Sequence, residues 1–255
     1  MILINKTKKK EPLVSIITAT FNSEMHLEET LKSIKNQKNK DYEVIIIDGH
    51  SVDTTIEIIK RYEDLINFCL IEKDNGIYDA FNKGLKYANG KYIVFVNSDD
   101  VLTPEALELL SAYDKKYKDI DFLFGSVKKH WGVLYGYKPY KIKFTWGFYS
   151  SHSTGFYIKR VSAKKIGEYN LKYKFHADFD YFYRMIVKHK MKGIGTKKEE
   201  LFGIFRRGGF SSKIDFKKSY IEDLRIRIDN GQSYLTVGIL ALFKFIKNFR
   251  RFFNI

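Results

Sequence analysis

Tyr92-Ile93-Val94-Phe95-Val96-Asn97-Ser98-Asp99-Asp100 is the stretch on which the reading of this chain turns. Five consecutive apolar or aromatic residues, rich in β-branched types, predict a strand buried on both faces, and two carboxylates stand where it runs out. In an open α/β sheet ligands bind at the carboxyl ends of the strands. Asp99 and Asp100 are therefore candidates to hold a divalent cation against a phosphorylated ligand. The residues alone also allow a polar turn that caps the next helix, because Thr103-Pro104-Glu105 is a good helix start.

Upstream, sheet-like and helix-like segments alternate. Val14 to Thr20 reads as a strand, Phe21-Asn22-Ser23 as a turn, and Leu27, Leu31 and Ile34 fall at helical spacing. Glu43 to Asp48 is a second buried strand ending in an acid, followed by Gly49-His50-Ser51-Val52-Asp53 and a helix in which Thr54 and Glu57 are spaced as a capping box. Phe68 to Glu72 is a third strand, and a helix from about Ile77 to Ala88 stops at Asn89-Gly90. The alternation predicts an α/β fold with a mainly parallel sheet and helices on both faces. Three of the four strands end at polar or acidic residues, Thr20, Asp48 and Asn97 to Asp100, which reads as one shared ligand rim.

Downstream of Asp121 to Gly125 the composition shifts. Lys128 to Tyr149 is crowded with Lys, Tyr, Trp and Gly and predicts irregular or antiparallel structure lining a groove. Thr154 to Lys159 reads as a strand, and Lys174 to Ile186 begins polar and continues as an amphipathic helix. Asp178 lies near that helix's N-terminus, where the dipole favours the ionised form. On the residues alone an N-cap role is the stronger reading of Asp178. Arg206 to Ser212 is a basic, glycine-containing loop, fit to fold over phosphates and equally able to be plain surface.

The 255 residues, 44% of them hydrophobic, suffice for one large α/β domain and exclude a disordered chain. A single cysteine, Cys69, excludes an intrachain disulfide and reads as a small buried hydrophobe. Lysine and arginine number 45 against 30 acids, and the net charge of +15 calls for a polyanionic partner: nucleic acid, an anionic membrane surface or a phosphorylated substrate. Met1 to Lys10 carries basic residues with no apolar run behind them, so it is expected to be a frayed leader rather than a signal peptide. Tyr234 to Phe243 is uncharged but too short to cross a bilayer. Beyond it Leu242, Ile246, Phe249 and Phe253 share one helical face while Lys244, Lys247 and Arg251 share another, and no acid follows Asp229. Tyr234 to Ile255 is thus expected to lie on an anionic membrane surface, against the alternative of a helix packed on the domain.

Taken in order, five pieces resemble the inverting nucleotide-sugar glycosyltransferases of family 2, which have the GT-A (Rossmann-like) fold. They are Val14 to Asn22; Asp48-Gly49-His50-Ser51-Val52-Asp53; Asp74-Asn75-Gly76-Ile77-Tyr78-Asp79-Ala80-Phe81-Asn82-Lys83-Gly84; Asn97-Ser98-Asp99-Asp100; and Ala177-Asp178-Phe179-Asp180. The resemblance runs from Pro12 to about Ser212. It implies that Thr18, Ala19, Thr20 and Phe21 line a pocket for base and ribose, with Asp48 accepting hydrogen bonds from the nucleobase. It implies that Asp99, with Asn97, Ser98 and Asp100 beside it, stands at the family's metal motif, where Mn²⁺ or Mg²⁺ neutralises charge on a departing nucleoside diphosphate. Asp178 matches the family's general base, with Asp180 and Arg184 in support, while Asp79 would reach sugar hydroxyls and Lys83 would lie near phosphate or base.

Three positions depart from the family pattern: Asn97 replaces the first aspartate of the metal motif, Ala177 stands where a glutamate often precedes the base, and His50 takes a place usually given to a small residue. The expected partners are a UDP-sugar donor and a glycan or lipid-linked acceptor in bacterial cell-surface polysaccharide assembly, at the inner face of the cell membrane. The expected organisation is a glycosyltransferase domain over 11–230, with a donor half at 11–125 and an acceptor half at 126–230, followed by the membrane-associating segment 231–255. A sugar nucleotidyltransferase would carry a glycine-rich loop after the first strand, and Thr18-Ala19-Thr20-Phe21-Asn22 has no glycine. A nucleic-acid-binding role conflicts with acids at the strand ends, which would repel phosphate without a metal.

Overall fold

The computed structural model describes residues 1–6, 11–144, 153–206 and 215–253. The chain forms β1 (Ile2–Asn5), β2 (Val14–Thr20), α1 (Leu27–Lys35), β3 (Tyr42–Asp48), α2 (Thr55–Arg61), β4 (Phe68–Ile71), α3 (Ile77–Tyr87) and β5 (Tyr92–Phe95). After the acidic turn come β6 (Val101–Leu102), α4 (Ala106–Lys116), β7 (Phe122–Phe124), β8 (Ser126–Lys129), β9 (Gly132–Leu134) and α5 (Lys141–Phe144). They are followed by β10 (Phe156–Lys159), α6 (Arg160–Ile166), α7 (Ala177–Tyr183), β11 (Gly193–Gly195), β12 (Leu201–Ile204), α8 (Phe216–Asp229), α9 (Tyr234–Lys247) and α10 (Phe249–Phe253). The basic loop expected at Arg206 to Ser212 lies outside the described residues from 207 onward, as does the end of the Lys128 to Tyr149 segment from 145.

The main sheet has eight strands in the order β1-β4-β3-β2-β5-β10-β7-β11. Its centre, β4-β3-β2-β5, is parallel, as the strand–helix alternation predicts. β10 then enters antiparallel between β5 and β7, and β11 pairs parallel with β7. A second sheet, β6-β12-β8-β9, stands beside the carboxyl end of β5.

Alternate residues of the central strands feed two core layers, which is why these strands read as unbroken apolar runs. Ile17, Ile45, Ile47, Phe95 and Phe156 pack on one face with Phe81, Phe182 and Met185, while Val14, Ile16, Val44, Ile46 and Val94 pack on the other with Leu31, Ile59 and Leu107. α1 shows how a helix is fixed here. Leu27, Leu31 and Ile34 are fully buried, each contributing roughly 1.5–3 kcal/mol, and Glu28 and Glu29 in its first turn with Lys32 and Lys35 in its last oppose the dipole. Cys69 lies in the core, where burial pushes its thiol up to about 12.

Three local expectations are corrected. Residues 2–5 are not frayed: β1 pairs antiparallel with Phe68 to Leu70 and closes an otherwise open edge of backbone groups, while residues 7–10 lie outside the described part. The Thr54 and Glu57 capping box does not form; the Thr54 hydroxyl turns to Glu24, and Asp53 accepts the N–H of Thr55 instead. The C-terminal segment is two helices, broken at Asn248, rather than one amphipathic rod.

α9 packs on α8 through buried Val237 and Lys244, and the Tyr220 hydroxyl donates to the carbonyl of Ala241. Lys244 therefore belongs to the packed face and not to a solvated basic face: its ammonium faces Asp223 and the Tyr220 ring. The opposite face leaves Leu235, Ile239, Leu242, Phe243 and Ile246 each more than 60% exposed. Among the described residues no helix is long and apolar enough to cross a membrane. Residues 254–255, the end of the predicted membrane segment, lie outside the described part.

Candidate active site at the carboxyl edge of the sheet

β2, β3, β4 and β5 all end at the same edge, so parallel pairing brings Thr20, Asp48, Asp74 and Asn97 to Asp100 together. Their loops are stitched to each other. The Asn22 N–H donates to Ser51 Oγ at 2.9 Å and the Val52 N–H to Asn22 Oδ1 at 3.0 Å, tying the turn after β2 to the turn after β3. Asn22 and His50 both adopt left-handed backbone, with φ of 46° and 71°. His50 is thus more than a bulky replacement: it holds a conformation that glycine enters more readily.

Asp48 is fully buried. Thr20 Oγ1 donates to its Oδ2 at 2.7 Å, and Ser51 donates to it twice, through its N–H at 2.8 Å and its hydroxyl at 2.6 Å. Its acceptor capacity is directed into the 48–51 loop. Ala19 is half-buried, Phe21 stands 62% exposed at the strand end, and the Thr18 hydroxyl is buried with no hydrogen-bond partner.

The acidic turn after β5 is held from behind. Thr30, on α1, donates its hydroxyl to the carbonyls of Ser98 and Asp100, and Ser98 Oγ meets Ser23 Oγ at 2.8 Å. Asp100 points inward: it is fully buried, its Oδ2 accepts from Thr154 Oγ1 at 2.9 Å and Asn97 Nδ2 at 3.1 Å, and the Arg206 N–H approaches its Oδ1. Asp99 is half-buried on the same turn. Asn97 directs its amide nitrogen to Asp100 and Ser153, which leaves its Oδ1 buried without a hydrogen-bond partner. Lys129, half-buried nearby, has a pKa lowered by burial, with the Asp100 charge acting in the opposite direction.

A buried amide oxygen without a donor, beside a partly exposed carboxylate, fits a hard cation. Among the described residues no three His, Cys, Asp or Glu side chains cluster as a self-sufficient metal cage. This donor set suits an ion that takes most of its ligands from water and a diphosphate.

The segment after β4 is braced by its own side chains. Lys83 is engaged by Glu72 at 2.8 Å, by Asp79 at 3.7 Å and by the carbonyl of Lys73 at 2.7 Å. Burial opposes its charge, yet these acids hold its pKa above the usual lysine value. Asp79 also accepts the Asn75 N–H. Both side chains therefore brace the 72–79 loop.

Asp178 sits half-buried on the first turn of α7, where its Oδ1 accepts the N–H of Phe179 at 2.8 Å. The Tyr78 hydroxyl, from the first turn of α3, donates to the carbonyl of Phe175, and Asn82 exchanges two hydrogen bonds with the backbone of Tyr169. Tyr169 in turn stacks on Tyr181 of α7 and meets Phe95 of β5 edge-on. The start of α7 is thereby fixed against the sheet edge that carries the acidic turn. Asp180, buried, accepts from Arg184 and from Asn230 at 2.8 Å each, pinning α7 to the end of α8. Glu222 of α8 accepts the backbone N–H groups of Lys174, Phe175 and His176, and Ser219 bonds His176.

Sequence reasoning missed Thr30, Thr154, Ser219 and Glu222. All four reach the site from elements far away in the chain, and no local pattern marks them.

A β4-β3-β2-β5 sheet with acids along its carboxyl edge, an antiparallel β10 beside them and a carboxylate-bearing helix docked at the same edge defines the GT-A class of fold. Residues 15–183 match the family described as Glycosyl transferase family 2, and the chain belongs to it. It is 32% identical over 224 residues to the uncharacterized glycosyltransferase MJ1057 of Methanocaldococcus jannaschii, covering 82% of this chain and 77% of that protein. It is 41% identical over 117 residues to the poly(ribitol-phosphate) β-N-acetylglucosaminyltransferase TarP of Staphylococcus aureus, covering 44% of this chain and 36% of that protein. The fold is shared with the crystal structure of residues 1–349 of S. aureus TarS in complex with UDP, at a TM-score of 0.66 and 20% identity over 85% of this chain and 64% of that one. The chain thus spans just under two thirds of the TarS structure and little more than a third of TarP.

Proposed function

We propose that this chain transfers a sugar from a nucleotide sugar, a UDP-sugar in the first instance, to a hydroxyl of a glycan or lipid-linked saccharide in cell-surface polysaccharide synthesis, with inversion at the anomeric carbon. The observation that carries the proposal is the fixing of the Asp178-bearing helix, through Tyr78 and Tyr169, at the sheet edge that holds Asn97 and Asp99. Asp178 takes the proton of the acceptor hydroxyl as that oxygen bonds to the anomeric carbon. The bond to the diphosphate breaks in the same displacement, and its electron pair leaves with the nucleoside diphosphate. Thr18, Ala19, Thr20 and Phe21 line the base and ribose region. Asp99 and the Asn97 amide oxygen would hold Mn²⁺ or Mg²⁺, which would supply charge neutralisation on the departing diphosphate. Asp100 keeps the turn in shape from behind.

The acceptor side is basic. A groove of about 360 Å³ beside the turn into α7 is lined by Lys172, Lys174, Lys218 and Arg225 with exposed Ile221. It suits an acceptor carrying phosphate. The outward face of α9, flanked by Lys247, Arg250 and Arg251, supports seating on an anionic membrane, where apolar side chains enter the interface and basic ones meet the headgroups. The location proposed with this seating is the inner face of the cell membrane.

The test is sugar transfer by wild type and Asp178→Asn with a panel of UDP-, GDP- and dTDP-sugars, with and without Mn²⁺. Loss of a general base predicts a fall of roughly 10²- to 10⁴-fold in turnover. Undiminished transfer by Asp178→Asn would remove the base assignment, and transfer indifferent to chelation would remove the metal.

A further inference from the structure

No acid occurs between Asp121 and Glu168, and within this interval Lys128 to Phe144 carries five lysines together with Trp131, Tyr135, Tyr140 and Phe144. Those four rings are 55–61% exposed. Exposed rings scattered singly need no explanation, but four in one short basic stretch do. The backbone that presents them is anchored along its length. Val127 pairs with Leu134 and Lys129 with Gly132 across the β8–β9 hairpin. The Tyr137 ring enters the core, with its centroid 5.3 Å from that of Phe122 and 5.5 Å from that of Phe124. The backbone beside it abuts Gly195 of β11 so closely that a Cβ there would stand 2.5 Å from the Gly136 carbonyl carbon. Ile142 is buried, and Arg227, only 2% exposed, donates through Nη1 to the carbonyls of Ile142 and Lys143 at 3.2 Å each. A buried cation is costly to leave unpaired, and this one is committed to a turn at the surface. Rings presented on a fixed backbone lose little freedom when a ligand lands on them.

This surface stands apart from the transfer centre. β9 is three strands from β6, which follows the acidic turn directly, and β11 is three strands from β5. At about 4.8 Å per strand either count gives a lateral separation of roughly 14 Å. The groove of Lys172 and Lys218 shares no residue with it. The stretch is nevertheless continuous with the centre in sequence, since it leads to Ser153, whose Oγ meets the Asn97 amide at 3.2 Å. We propose that residues 131–144 form a second saccharide site, which holds an acidic glycan chain at a distance from its reacting end. Trp131, Tyr135 and Tyr140 offer faces on which the C–H sides of sugar rings stack, and Lys138, Lys141 and Lys143, all exposed, meet carboxylate or phosphate groups along the chain. The choice of a glycan over a nucleic acid rests on the glycosyltransferase reading above.

The experiment is isothermal titration calorimetry of the full chain, without nucleotide, against three polymers of matched length. Polygalacturonate has charge and rings, polyglutamate has charge without sugar rings, and maltodextrin has rings without charge. A chain of net charge +15 attracts any polyanion, so the preference between the first two is the readout. Wild type is expected to bind polygalacturonate on the order of tenfold more tightly than either control, the effect of a few stacked rings added to charge. Trp131→Ser with Tyr135→Ser and Tyr140→Ser should erase the preference over polyglutamate while leaving polyglutamate binding and the unfolding temperature unchanged. Equal binding of polygalacturonate and either control by wild type, or a preference that survives the triple substitution, overturns the assignment. So does tighter binding of polyuridylate than of polygalacturonate, the mark of a nucleic-acid surface. Should the triple variant fail to fold, Lys138→Glu with Lys141→Glu decides. It should weaken polygalacturonate binding more than the same reversal at Lys164 and Lys165, which are exposed on α6, and equal weakening by the two overturns the site. Because no donor is present, failure here leaves the transfer assay to judge the glycosyltransferase reading, and failure of transfer leaves the binding result to be judged by these titrations.

Discussion

Glu222 accepts the backbone N–H of His176 at 2.7 Å, two residues ahead of Asp178, and so a side chain from α8 sets the entry into the helix that carries the proposed base. The same carboxylate takes the N–H groups of Lys174 and Phe175. Replacing it by alanine leaves three donors without their acceptor, and about 2 kcal/mol of stability should go with it, as judged by urea unfolding. If the clamp positions Asp178, Glu222→Ala also lowers turnover more than it changes the Michaelis constant for the donor. Glu222→Gln, which keeps one acceptor oxygen, should recover part of both.

Asp100 gives a second prediction. Its buried carboxylate accepts from Thr154, Asn97 and the Arg206 N–H. Asp100→Ala strands these donors and should cost about 2–3 kcal/mol. Asp99→Ala, on the half-buried side of the same turn, should abolish the metal dependence of donor binding. Calorimetry in the presence and absence of Mn²⁺ separates the two residues.

Lys244 carries a pH signature. Burial pushes its pKa down to about 8, partly offset by Asp223 and reinforced by Arg227. The unfolded chain then binds more protons than the folded one between about pH 8 and pH 10.5, so this group's effect is to raise stability as pH climbs through that window. Wild type should gain about 1 kcal/mol relative to Lys244→Met between pH 7.5 and pH 10, read from paired melting curves. Equal slopes would show that Lys244 titrates normally.

Ile239 and Phe243 are more than 60% exposed on the outward face of α9. Ile239→Ser with Phe243→Ser should leave unfolding nearly unchanged, since neither side chain supports the core. Co-sedimentation with vesicles rich in anionic lipid should drop on the order of tenfold or more if this face enters the interface. Unchanged sedimentation would remove the membrane role from α9.

The central sheet was legible because its strands are short apolar runs with a residue count that leaves no room for another element, and each ends in a polar residue. The expectation that Asn97, Asp99 and Asp178 share one site came only through the family resemblance; periodicity alone made Asp178 an N-cap. Side-chain direction was beyond the sequence. Asp48, Asp99 and Asp100 are alike in composition and local setting, yet Thr20, Ser51 and Thr154 turn two of them inward. Lys244 illustrates the same limit: its spacing fits a solvated stripe, and only the arrival of Asp223 and Tyr220 from α8 makes it a packed residue. β1 escaped notice because pairing with β4 spans more than sixty residues and lysines follow it directly.

The placement of β10 between β5 and β7 bears on biogenesis. Until Phe156 to Lys159 leaves the ribosome, the strand that ends in the acidic turn has one unpaired margin, and the nascent chain presents that margin to its neighbours. Closure waits on contacts of long sequence separation, which fold slowly. Expression of the first half by itself should therefore yield aggregates instead of an autonomous nucleotide-binding unit.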